Sequence, residues 1–116
     1  MQFIKSPVST IVIGQACSMG SFLAMAGEPG KRNILPNART MIHQPSGGAG
    51  GQATDMEIQV KEIIKIKENL TKLYEKHNTA NKSYDELAKA MERDNYLSAD
   101  EAVAFGLADK VVSRKT

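Results

Sequence analysis

The chain has 116 residues, 41% of them hydrophobic, which suits one domain of ordinary size. Its net charge of +2 is too close to neutral to argue for a nucleic-acid or membrane-surface partner, and no window approaches the ~20 apolar residues of a membrane span. A single cysteine, Cys17, excludes an internal disulfide framework and permits a reducing compartment.

Charge is unevenly spread. Residues 1–53 hold four basic residues and one acidic, whereas residues 54–116 hold 11 basic and 12 acidic ones, the mixed-sign pattern of a solvated helical surface. The opening "MQFIKSP" begins in mid-pattern, with neither a polar lead-in nor a charged-then-apolar leader, and offers no strand as a neighbour for the first predicted one. Thr10–Ile13 is a β-branched run that predicts a strand. Ser18 to Ala26 predicts a short apolar helix, with Gly27 placed as its C-terminal cap. "EPGKR" reads as a loop, and "NILPNARTMIH" as two short extended pieces joined at Pro36-Asn37. "QPSGGAGG" cannot hold a helix, because Gly47, Gly48, Gly50 and Gly51 are too costly there.

The longest element is predicted from about Asp55 to about His77, with Thr54 and Glu57 as a capping box. Met56, Val60, Ile63, Ile64, Lys67, Leu70 and Leu73 advance by threes and fours, giving an apolar stripe broken by one lysine stem. At 1.5 Å per residue such a helix runs roughly 34 Å, more than a small domain needs to cover its core, so it should project or meet a partner. Two further capping boxes, Ser83 with Glu86 and Ser98 with Glu101, open short helices; the second ends at Phe105-Gly106, and "LADKVV" predicts a last strand. Strands alternating with helices indicate a layered α/β architecture.

Chemistry centres on Ser18. A serine in the first turn of a helix is commonly a cap. Yet Ala16, Cys17 and Gly20 suit a sharp strand-to-helix corner that exposes a nucleophile, in an Ala-x-Ser-x-Gly variant of the common elbow. Both readings stand on the residues alone. A nucleophilic serine needs a base, and only two histidines are present. His77 ends the long helix, where a positive side chain complements the helix dipole. His43 ends a strand and opens the glycine-rich segment, so it is the better candidate base. Met19 contributes a free backbone N–H at the helix start, suited to an oxyanion. The carboxylate that would orient the base is one of 13 acids; Asp94 stands out only for its place at a helix end. The glycine segment lacks a Gly-Lys-Ser/Thr ending, so pairing with an extended peptide suits it better than phosphate binding. Cys17, a small residue at a packed corner, reads as filler more than as a nucleophile.

"IGQACSMGSFLAMAGEPGKR", "ARTMIHQPSGG", "GGQATDMEIQVKEI" and "MERDNYLSADEAVAFGLADKVV" together resemble the proteolytic subunits of the Clp ATP-dependent protease, the ClpP family, through to about Val112. The resemblance implies a crotonase-like α/β fold of ββα repeats with a long projecting handle helix. It further implies a serine endopeptidase of unfolded proteins with Ser18 as nucleophile, His43 as base and Asp94 as the orienting acid. The Met19 N–H would serve the oxyanion, and Ser46, Gly47 and Gly48 would flank the extended substrate. Gln52, Asp55, Glu92 and Arg93 fall where the family makes ring-ring contacts between two stacked heptameric rings. No cofactor or metal is implied: ATP belongs to a separate AAA+ unfoldase such as ClpX or ClpA. Neither nucleic acid nor membrane is implied, and the compartment would be the cytoplasm or an organelle matrix. Because "MQFIKSP" resembles an internal segment, residues 1–116 are expected to be the C-terminal part of one peptidase domain. That part would lack the first strands, the entrance loops, most of the unfoldase dock and the glycine completing the oxyanion hole. The alternative is a catalytically inactive, truncated subunit that assembles with others. A crotonase-type acyl-CoA enzyme shares the fold, but the handle helix and the Ser-His-Asp set argue against it.

Overall fold

The computed structural model describes residues 1–45 and 49–114. Among these residues the chain forms six short strands and four helices. The order is β1 (Thr10–Val12), β2 (Gln15–Cys17), α1 (Met19–Met25), β3 (Arg32–Ile34), β4 (Arg39–Ile42), α2 (Ala53–His77), α3 (Tyr84–Ala90), β5 (Asn95–Leu97), α4 (Ala99–Phe105) and β6 (Lys110–Val111). The ββα step thus occurs twice, as β1-β2-α1 and β3-β4-α2, which is the expected repeat.

Each β-β pair splits between two sheets. β3 lies between β1 and β6 in an all-parallel sheet, with Thr10 opposite Arg32 and Ile34 opposite Val111. β4 lies between β2 and β5, parallel to β2 with Ala16 opposite Thr40 and antiparallel to β5 with Met41 opposite Tyr96. The bend between paired strands is what turns one extended run into two sheet edges. The core between these layers is made by Val12, Met25, Ile34, Ile42, Leu87, Leu97 and Leu107, residues whose burial from water supplies the main favourable contribution to folding.

Helix termini follow the sequence in part. Ser98 and Glu101 form the full reciprocal box, and Gly106 closes α4 in the left-handed conformation at φ 91°. An added Cβ on Gly106 would lie 2.5 Å from the Ala80 nitrogen, so both its backbone angle and its surroundings require glycine. Ser83 caps α3 by accepting from the Glu86 N–H. The Thr54–Glu57 box does not form: α2 starts at Ala53 with Gln52 as its N-cap, so both residues lie inside the helix. Gly27 is also not a left-handed cap; Ala26 ends α1, and Gly27 is small because Thr10 and the Val8 carbonyl press against it.

α2 is 25 residues long and divides in two. Residues 53–62 are exposed throughout, with Met56, Ile58 and Val60 facing solvent. The last turns hold the helix to the body, and their buried line runs through Thr71 and Tyr74, whereas Leu73 of the expected stripe is exposed. The loop expected over "EPGKR" forms over residues 28–31, but its last residue belongs to a strand. Its Arg32 opens β3 and is 1% exposed. It forms a bidentate pair with Asp109 and donates to the carbonyls of Met25, His77 and Gly106 and to Thr79.

Candidate active site

β2 runs directly into α1, and Ser18 is the hinge residue between them. It holds φ 56° and ψ −118°, a conformation that non-glycine residues adopt only under strain. Its neighbours over-determine that shape. The Ser18 N–H donates to the Met41 carbonyl at 2.9 Å, which continues the β2–β4 ladder past Cys17. The Ser18 carbonyl accepts from the N–H groups of Ser21 and Phe22 and from the Ser21 hydroxyl.

Two readings of Ser18 were open on sequence grounds, and the geometry separates them. Its side chain makes no capping bond to α1. Instead, Oγ lies 2.5 Å from Nε2 of His43. His43 directly succeeds the last residue of β4, the strand that pairs with β2, so the ladder sets the serine-to-imidazole spacing. Met19 opens α1, so its N–H has no acceptor within the helix, and it makes no other backbone hydrogen bond among the described residues. It is therefore free at the corner, as a donor to a developing oxyanion must be.

Asp94 is placed near His43. Both line a cavity of about 500 Å³ together with Gln44, Glu92 and Arg93. Gln44 ties the end of β4 to the turn that carries Asp94, its N–H donating to the Met91 carbonyl and its side-chain amide to that of Glu92. Among the described residues no hydrogen bond joins the Asp94 carboxylate to the imidazole, and Asp94 is exposed. On the other side of the serine, Ser18, Met19, Phe22, His43, Pro45, Ile66, Leu70 and Tyr74 line an apolar cavity of about 380 Å³.

The remaining expected positions divide by location. Glu92 and Arg93 share the Asp94 cavity. Gln52 and Asp55 lie at the exposed start of α2. Ser46, Gly47 and Gly48 lie outside the described residues. His77 lies in the last turn of α2, at the helix end where the sequence placed it. Burial, then the charges of Lys76 and Arg32, push its pKa below the ordinary histidine value, and its ring packs edge-on against Phe22.

Two residues of the corner escaped the sequence reading. Ser21 and Tyr74 are 1% and 3% exposed, and their hydroxyls lie 2.7 Å apart beneath Ser18. Tyr74 stands four residues after Leu70, on the inward line of α2, which is the signal that marks it as buried. The family model described as Clp protease matches residues 1–115, and the chain belongs to the Clp protease family, a family of peptidases.

Proposed function

We propose that the chain is a serine endopeptidase subunit of the Clp type, with Ser18 as nucleophile and His43 as general base. The observation that carries this reading is the Ser18 Oγ to His43 Nε2 approach of 2.5 Å from a strained strand-to-helix corner. His43 Nε2 takes the hydroxyl proton as Oγ bonds to the peptide carbonyl carbon, and the Met19 N–H stabilises the resulting oxyanion. The C–N bond then breaks, the imidazolium returns its proton to the leaving amine, and water hydrolyses the acyl-enzyme. Nε2 must therefore be the unprotonated nitrogen, which leaves the Nδ1–H facing a partner. Asp94 takes that role by turning within the cavity that it shares with His43; such bonds commonly tighten only when substrate is bound.

The apolar cavity beside Ser18 receives an apolar side chain next to the scissile bond, while Ser46, Gly47 and Gly48 run beside the extended substrate. The exposed half of α2 is the handle that meets a second copy. Gln52, Asp55, Glu92 and Arg93 contribute to contacts within a double heptameric ring, which an AAA+ unfoldase feeds with unfolded chains at the expense of ATP.

A second reading, a non-catalytic assembly subunit, is favoured by one observation: Asp94 is exposed and unbonded to His43. A fluorophosphonate probe separates the two. One adduct per chain by intact mass, absent from Ser18→Ala, is the expected result. A folded chain that gains no adduct overturns the catalytic reading in favour of the structural one.

A further inference from the structure

The Ser18 carbonyl and the Met19 N–H are the two ends of a single trans peptide, so they point in opposite directions. Whatever holds the carbonyl also aims the N–H. The Ser21 hydroxyl donates to that carbonyl at 2.6 Å, and the Tyr74 oxygen stands 2.7 Å from Ser21 Oγ and 3.4 Å from the same carbonyl. Each hydroxyl has one proton to give. The distances assign them in sequence: Tyr74 donates to Ser21, and Ser21 donates to the Ser18 carbonyl. Both side chains are buried, and burial raises the Tyr74 pKa, which keeps its proton in place as a donor.

We infer that Tyr74 and Ser21 are positioning residues that hold the Ser18–Met19 peptide in the strained orientation directing the Met19 N–H at the oxyanion. The inference rests on Ser18 being the nucleophile. It assigns to the last turns of the long helix a direct hold on the reacting corner. The hold acts on the transition state and leaves substrate binding alone. Removing a whole oxyanion donor costs on the order of 10²–10³ in rate; loosening its aim should cost less.

Saturating fluorophosphonate labelling, with intact mass as the readout, gives the maximal inactivation rate and the half-saturating probe concentration for the full chain and its variants. Tyr74→Phe keeps the ring against Phe22, whose centroid lies 5.5 Å away, and removes only the hydroxyl. Its maximal rate should fall roughly tenfold, with half-saturation within about twofold of the parent. Ser21→Ala breaks both links and should fall further, and the double variant should match Ser21→Ala, since the two act as one chain. An unchanged maximal rate in Tyr74→Phe, or a loss carried entirely by half-saturation, overturns the positioning role while leaving Ser18 as nucleophile. No Ser18-dependent adduct in the parent chain overturns both.

Discussion

Two polar clusters lie at opposite ends of α1, Arg32 bonding to the carbonyl of its last residue and Ser18 preceding its first, and they are built on opposite principles. Around Arg32 every strong donor has an acceptor: the guanidinium meets the Asp109 carboxylate, three carbonyls and the Thr79 hydroxyl. The carboxylate also accepts from the N–H groups of Gly30 and Arg32. This cluster ties the ends of α1, α2 and α4 to β3, and nothing in it is left to react. At Ser18 the hydroxyl has one partner among the described residues, the backbone is strained, the Met19 N–H is free and the nearby Asp94 carboxylate stands apart. Saturated hydrogen bonding yields rigidity, whereas reactivity needs groups that are aimed but unspent.

Substitutions at the two clusters should therefore separate stability from reactivity, and four outcomes test that division. The largest effect is expected for His43→Ala, which removes the base: Ser18 labelling should slow by about 10³-fold or more, while the urea midpoint moves little. A large loss of stability in that variant would break the contrast. Arg32→Ala strands the Asp109 carboxylate without its cation and should cost about 3–5 kcal/mol in urea unfolding. A cost under about 1 kcal/mol would show that the cluster is replaceable by water.

Acid should weaken the same cluster. Hydrogen bonding from Arg32, assisted by its charge, holds the Asp109 pKa below its usual value against the opposing effect of burial. The folded state thus binds this proton less readily than the unfolded chain does. The resulting stabilisation is present in full above the ordinary carboxylate value of about 3.9 and is lost as pH falls through that value towards the folded one. Urea midpoints of the parent should drop between about pH 5 and pH 3, and Asp109→Asn, less stable at neutral pH, should show a shallower drop. Equal slopes would place the acid sensitivity elsewhere. The smallest effect is expected for Asp94→Asn. With the carboxylate off the imidazole, labelling of the free chain should change by less than about threefold; a loss of 10²-fold or more would mean that Asp94 already holds His43 in solution.

Local signals were legible where a residue's role depends only on its near neighbours. The three-and-four spacing marked α2, Ser83 and Ser98 marked two helix starts, and Gly106 marked a helix end. The Ser18, His43 and Asp94 motifs carried the family. Each of these features is written within a few residues of chain. Thr54 shows the limit of that reasoning, because the helix starts before it and leaves its hydroxyl uncalled for.

What only the tertiary structure decided lies between segments far apart in sequence. β2 and β5, "QAC" and "NYL", are three residues each and have little strand character of their own; β4 makes them strands by pairing with both. Arg32 reads as a loop cation until Asp109, 77 positions away, draws it into the core. On its own residues Ser18 stays open between cap and nucleophile until the ladder to Met41 and the donors beneath its carbonyl are in place and its side chain meets His43. Short-range order comes from propensity and capping, which the sequence carries in place. Burial of charge and strain at a corner are stabilised by distant partners, and those exist only once the chain has folded.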